Sequence, residues 1–292
     1  GESGSGKTTL ARILTGILKE DSGNVFYRDE PLERSRRGGG RIQMVFQDPY
    51  GSLNPCLTAG QALDEALRAA GSPEERADRE RRRERIRDML ERVGLMEDDM
   101  DKYPSEFSGG QRQRIGIARA LIVRPEILIC DEALSSLDAV TQQQVLDLLL
   151  DIQREQQIAC LFISHDMHVI RRISSRMGVM YGGRLVETGR TREVCSDPWH
   201  PYTKLLLEAS PDADPLKARR IRGLPAGKQD AGNRGMGDKG CPFAGECGYA
   251  MKCCTEQEPG TYRFGERAVS CFLYSEEHSG RRSRDYIMTS QI

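Results

Sequence analysis

The first nine residues, Gly1-Glu2-Ser3-Gly4-Ser5-Gly6-Lys7-Thr8-Thr9, carry a complete G-x-x-x-x-G-K-[ST] pattern. Glycines at Gly1, Gly4 and Gly6 let a backbone wrap closely around phosphates and turn its N–H groups inward. Lys7 supplies a point charge to β- and γ-phosphates, and the Thr8 hydroxyl is a ligand for Mg²⁺. Leu10, Ile13, Leu14, Ile17 and Leu18 follow at helical spacing, so a helix is predicted whose positive N-terminal end faces the same phosphates. The pattern says nucleotide, and by itself no more than that.

Further polar residues fall at the ends of predicted strands. The apolar run at 42–46 delivers Gln47, whose amide can reach a Mg²⁺-bound or attacking water, although alone it reads as a plain strand-end residue. The run at 126–130 ends in Asp131 and Glu132. A buried parallel strand would carry both to its C-terminal edge, where α/β sheets bind ligands. Asp131 suits the Mg²⁺ shell; Glu132 suits polarising the water that attacks the γ-phosphate. A third such strand, 158–163, leads to His165, a γ-phosphate sensor by position. Ser108-Gly109-Gly110-Gln111 opens a predicted helix at 115–123 and forms a second anion-binding turn. One nucleotide has little need of two cradles, so this one is read as serving a partner subunit's nucleotide. Asp138 precedes another helix, with a stripe at Val145, Leu148, Leu149 and Ile152, and can act as N-cap, nucleotide contact or both.

These residues need an α/β scaffold, and 292 residues suffice for one large domain with extras. A strand at 24–28, a basic Gly-rich loop at 34–41, helices at 61–70 and 73–94, a hairpin of 177–181 with 184–187 and a short helix at 204–209 complete the reading. The Arg run at 81–83 is interleaved with glutamates, which marks a solvated face rather than a nucleic-acid surface. Net charge of −1 gives no global pull toward nucleic acid or anionic lipid. No apolar run reaches the ~18–20 residues of a membrane span, so any membrane role is peripheral. No strand precedes the phosphate loop, so the chain reads as lacking an N-terminal segment that would pack on the adenine base.

Taken together and in this order, the phosphate loop, Gln47, Phe107-Ser108-Gly109-Gly110-Gln111, Asp131-Glu132, Ser136-Leu137-Asp138 and His165 resemble the ABC ATPases. The resemblance implies a P-loop NTPase (RecA-like) core with an inserted α-helical subdomain. It also implies a head-to-tail dimer, with Lys7 and Thr8 of one subunit and Ser108 of the other around ATP. Phe46-Gln47-Asp48-Pro49-Tyr50-Gly51-Ser52-Leu53-Asn54-Pro55 and Asp197-Pro198-Trp199-His200-Pro201-Tyr202-Thr203 narrow the likeness to ATP-binding subunits of oligopeptide/dipeptide importers. Ala133 and Gly182 depart from the usual residues, a proline and a bulkier side chain. The implied organisation is an ATPase domain at 1–190 with its helical subdomain at about 50–124, a helical extension at 191–225, a linker and Cys-rich module at 226–274, and a tail at 275–292.

The implied partners are two transmembrane permeases, a second and related ATPase subunit, and indirectly an extracytoplasmic solute-binding protein, with no nucleic acid. The place is the cytoplasmic face of the inner membrane, and residues 50–104 would dock the permeases. A soluble ABC ATPase acting on nucleic acid or ribosomes is the alternative, opposed by a single ATPase unit and no concentrated basic face.

Five of the nine cysteines crowd between Cys241 and Cys271. Cys241-x₅-Cys247-x₆-Cys254-x₁₆-Cys271 offers four thiolates in a stretch too small to bury its own core, so a metal would order it. Zinc is the general choice for four cysteines, but its sites usually show tighter pairs. The wider spacing suits a larger cluster, and the subgroup resemblance implies a 4Fe–4S centre; reduced thiols in a loose tail are the plain alternative. Cys253 is adjacent and could replace Cys254.

Overall fold

The computed structural model describes residues 1–32, 40–135, 137–209 and 240–275. Ser136, most of the basic loop, the linker up to residue 239 and the tail beyond residue 275 lie outside the described residues. The chain divides into two compact units, Thr8–Ser164 and Gly1–Lys7 with His165–Ile292.

In the first unit, helix α1 (Lys7–Leu14) is followed by a two-stranded ribbon, β1 (Phe26–Tyr27) and β2 (Glu30–Pro31). Strands β3 (Ile42–Val45), β4 (Ile127–Asp131) and β5 (Ala159–Ile163) form a parallel sheet in the order β3-β4-β5. Ile42 pairs with Ile127, and Asp131 pairs with Ile163, so the ends of β4 and β5 lie side by side. Parallel strands need long crossovers, and here they are helical. Between β3 and β4 come α2 (Pro49–Ser52), α3 (Ala59–Ala70), α4 (Pro73–Ala77), α5 (Arg79–Arg92) and α6 (Gly109–Leu121); α7 (Ala139–Gln156) joins β4 to β5.

Four expectations about this unit need correction. The apolar stripe behind the phosphate loop is not a buried face: Ala11 is fully buried, while Leu10, Ile17 and Leu18 are exposed. The helix stops at Leu14 because the Thr15 hydroxyl bonds back to the Ala11 carbonyl and Gly16 turns with φ of 78°. Strand β5 is not buried throughout, since Ala159 and Leu161 are exposed; among the described strands it pairs on one side only, with β4. The single helix expected at 73–94 is two, broken where Asp78 accepts N–H bonds from Glu80 and Arg81. Its stripe of Ile86, Met89, Leu90 and Val93 is buried. Of the Arg run, Arg81 and Arg83 are exposed, but Arg82 is buried and bonds Asp64 of α3 at 2.5 Å.

The second unit holds α8 (Met167–Ile173), the hairpin β6 (Arg176–Tyr181) and β7 (Arg184–Arg190), α9 (Thr191–Ser196) and α10 (Pro201–Ala209). The cysteine segment supplies α11 (Lys252–Glu256), β8 (Tyr262–Phe264) and β9 (Arg267–Val269). Its strands extend the hairpin into one antiparallel sheet, β6-β7-β9-β8, with Glu187 opposite Val269. Among the described residues, no helix is long and apolar enough to cross a membrane.

Candidate functional site

The phosphate loop is held by its own lysine. Lys7 Nζ donates to the Gly1 carbonyl at 2.8 Å, the Glu2 carbonyl at 2.6 Å and Ser5 Oγ at 3.2 Å. The ammonium thus lies on carbonyl and hydroxyl acceptors of its own loop, weaker partners than phosphate oxygens would be. Gly4 and Gly6 have φ of 79° and 93°, the left-handed turns that a side chain would strain. Ser3, Gly4 and Thr9 are exposed, Gly6 and Thr8 half-buried, and Ser5 is buried.

In the other unit, β3 and β4 deliver two of the expected residues to each other. Gln47 Nε2 donates to Glu132 Oε2 at 3.1 Å. The Glu132 backbone N–H reaches across to the Ile163 carbonyl at 2.9 Å, and its φ is 47°. A non-glycine residue in that region is uncommon and marks a position held by its surroundings. Asp131, just before it, is 2% exposed at the end of β4. A hydroxyl from Thr8, an amide oxygen from Gln47 and a carboxylate from Asp131 are the hard oxygen donors that suit Mg²⁺. His165 follows β5 and belongs to the unit of the phosphate loop.

Ser108 is exposed and caps α6 with a reciprocal box: its Oγ accepts the Gln111 N–H at 3.3 Å, and its own N–H donates to Gln111 Oε1 at 3.0 Å. Gly109 has open space where a Cβ would stand, whereas a Cβ on Gly110 would fall 2.6 Å from Thr141 Cγ2. Gly110 therefore permits close approach to α7. Asp138 caps α7, its Oδ1 accepting from Val140 and Thr141 at 3.1 and 3.0 Å. Hydrogen bonds from Thr141, side chain then backbone, hold its carboxyl below the usual range.

The cysteines Cys241, Cys247, Cys254 and Cys271 line one cavity, together with His200, Phe243 and Met251. The cavity is small, about 10 Å³. Among the described residues, no group of three or more His, Cys, Asp or Glu side chains is arranged to hold a metal ion. Burial pushes the Cys254 thiol up to about 11 and Cys271 to about 12, and neighbouring cysteines add to both shifts. Burial lowers His200 to about 4. Its Nδ1 accepts the Tyr202 N–H at 3.0 Å, so the neutral ring carries its proton on Nε2.

Three functional contacts were not read from the sequence. Tyr202 Oη accepts the Glu2 N–H at 2.9 Å, and the Gly183 N–H donates to the Ser5 carbonyl at 3.2 Å. Glu187, wholly buried, accepts from the Trp199 and His200 N–H groups and from Arg267. Partners 200 residues apart leave no local pattern; the only signal was the Trp199-His200-Pro201-Tyr202 motif itself.

Comparison with known proteins agrees with this geometry. The family model described as ABC transporter matches residues 1–135, and that of the oligopeptide/dipeptide transporter C-terminal region matches 186–254. The oligopeptide transport ATP-binding protein OppF of Salmonella typhimurium is 42% identical over 281 residues, covering 93% of this chain and 81% of that protein. The dipeptide transport ATP-binding protein DppF of Escherichia coli is 39% identical over 289 residues, covering 97% and 84%. The ATP-binding cassette MJ0796, solved as a dimer in a post-hydrolysis state with ADP and phosphate, is similar with a TM-score of 0.58 at 28% identity. That likeness covers 66% of this chain and 83% of the solved one. With the cassette motifs on its strand ends and the transporter C-terminal region folded into its second sheet, this chain belongs to the ABC transporter ATP-binding subunits, in the group bearing the oligopeptide/dipeptide C-terminal region.

Proposed function

We propose that this chain is the ATP-hydrolysing motor of a membrane importer for peptides or related small solutes. The observation that carries the hydrolytic part is Gln47 on Glu132 at 3.1 Å, at neighbouring strand ends. The cargo class rests on the OppF and DppF relatives and the matched C-terminal region. The backbone N–H groups of residues 3–9 and the Lys7 ammonium take the phosphates. Thr8, Gln47 and Asp131 hold Mg²⁺, which when bound neutralises the charge on the phosphate oxygens. Glu132 orients the attacking water and accepts its proton, and the Gln47 amide fixes the carboxylate that does so. His165 senses the γ-phosphate.

Ser108-Gly109-Gly110-Gln111 and Asp138 serve the nucleotide of a second, related ATPase in a head-to-tail pair. Two permeases dock on residues 50–104 at the cytoplasmic face of the inner membrane, and a solute-binding protein feeds them from the other side. Cys241, Cys247, Cys254 and Cys271 hold a 4Fe–4S centre that orders the module. Four thiols lining one cavity support a shared site there, and they do not choose between an iron–sulfur centre and zinc.

Reconstitution of the full-length subunit with its permeases in vesicles tests the motor. Glu132→Gln is expected to keep ATP binding while turnover falls by roughly 10² or more, and Lys7→Ala to lose nucleotide affinity. Near-normal turnover in Glu132→Gln would remove that residue from its role, and failure of peptide to stimulate turnover would remove the cargo.

A further inference from the structure

The phosphate loop and the cysteine segment meet the same few side chains. On the loop's side, the Tyr202 hydroxyl holds the Glu2 N–H and the Gly183 N–H holds the Ser5 carbonyl, at 2.9 and 3.2 Å. These contacts, with the Ser5 N–H on the Glu2 carbonyl at 3.3 Å, hold Glu2 and Ser5 of the loop in place. The Glu2 N–H already has an acceptor, so Tyr202 sets the position of the loop and does not compete for the ligand.

On the other side, Phe243, two residues after Cys241, packs its ring at 5.5 Å from Tyr202 and 5.2 Å from Tyr181. Tyr181 and Tyr202 themselves lie 4.5 Å apart, and the Tyr181 hydroxyl donates to Glu246, the residue before Cys247. Pro242 sits against the hairpin turn: a Cβ on Gly182, at φ of 54°, would fall 2.9 Å from its Cβ. The glycine that departs from the family's bulkier residue is thus the one against which the cysteine loop rests. Phe243, Tyr202, Val179, Val186 and Val194 form one buried core, with Cys241 and Cys247 packed on it.

We propose that the four-cysteine module braces the phosphate loop, with Tyr202 and the Gly182–Gly183 turn as the two relays, so that the packing of the cysteine loop sets the affinity for ATP. Interiors this closely packed transmit displacement instead of absorbing it. Tyr202 is a positioning residue, remote from the reacting atoms. A change at the cysteines, whether metal loss or thiol oxidation, reaches the nucleotide through Phe243 and Pro242. The inference rests on reading Gly1–Lys7 as the ATP cradle.

The test uses the full-length subunit in its reconstituted transporter, with ATP as the probe. Tyr202→Phe keeps the ring and removes only the hydroxyl. It is expected to raise the KM and the Kd for ATP about 5-fold, the effect of one hydrogen bond, with kcat within about 2-fold and the thiol reactivity of the four cysteines unchanged. A merely structural role would lower the active fraction and leave KM alone. Phe243→Leu spares every thiol and is expected to raise KM similarly, and the double variant to show clearly less than the product of the two effects. Wild-type KM and Kd in Tyr202→Phe, or fully multiplicative effects in the double variant, would overturn the brace. Lys7→Ala separates the two failures: retained ATP affinity there refutes the cradle itself, whereas its loss with an unaffected Tyr202→Phe refutes only the brace.

Discussion

Arg267→Met should loosen the joint between the cysteine segment and the β6–β7 hairpin. Arg267 lies on β9 and bonds Glu187 Oε1 on β7 at 2.8 Å, with side-chain exposures of 10% and 0%. It also donates to the Asp197 carbonyl at 2.7 Å and places its guanidinium 3.7 Å from the centre of the Trp199 ring. Methionine keeps much of the apolar stem but leaves the Glu187 carboxylate with the Trp199 and His200 N–H groups as its donors among the described residues. Breaking a buried ion pair costs about 3–5 kcal/mol. Two retained N–H donors put this case at the lower end, so about 3 kcal/mol is expected, equivalent to roughly 6–12 °C in Tm. The assay is built in, because Trp199 is the one tryptophan of the chain and stacks on Tyr274 at 5.3 Å. Urea unfolding followed by its fluorescence reports this joint directly. Glu187→Gln in the Arg267→Met background removes the stranded charge and should restore at least about 1 kcal/mol. A loss below about 1 kcal/mol in Arg267→Met, or no recovery in the double variant, would refute the reasoning.

Ser108→Arg removes the α6 cap and fills the exposed turn, so it should abolish hydrolysis at the site built on the partner's phosphate loop while leaving the chain's own Lys7 site complete. Mixed dimers with one mutant subunit check this, and loss that tracks the mutant's own phosphate loop would contradict the shared geometry. The cysteine centre should load better at higher pH. Thiols pushed up to about 11 and 12 at Cys254 and Cys271 are protonated at neutral pH, and ligation must expel those protons. Anaerobic loading with ferrous iron and sulfide at pH 7 and 8.5, with proton release and metal analysis, should show rising occupancy; stoichiometric zinc without iron would reassign the site, and no metal would leave a thiol-lined core.

The residues proposed for phosphate binding and water activation were legible locally because such chemistry uses short, contiguous segments. Gly1 to Thr9 need neighbouring backbone N–H groups, and Asp131-Glu132 needs only a strand that ends where its apolar run ends. Capping by Ser108 and Asp138 is equally local, since each bonds N–H groups two or three residues on. The pairing of Gln47 with Glu132 was not legible in this way: it came with the parallel pairing of β3 and β4, which brings their ends to one edge.

Tertiary structure decided what depends on packing between distant segments. Helical spacing placed Leu10, Ile17 and Leu18 on one stripe, but the early end of α1 and the absence of a described covering element leave them exposed. Periodicity marks a face without saying what meets it. A run of six apolar residues at 158–163 reads as buried, yet among the described strands β5 pairs on one side only. Nor could spacing show that the cysteine segment adds β8 and β9 to the hairpin's sheet, since Glu187 finds Arg267 across 80 residues. The hold of Tyr202 on Glu2 is of the same kind: a hydrogen bond records three-dimensional proximity, and the sequence carries only the tyrosine.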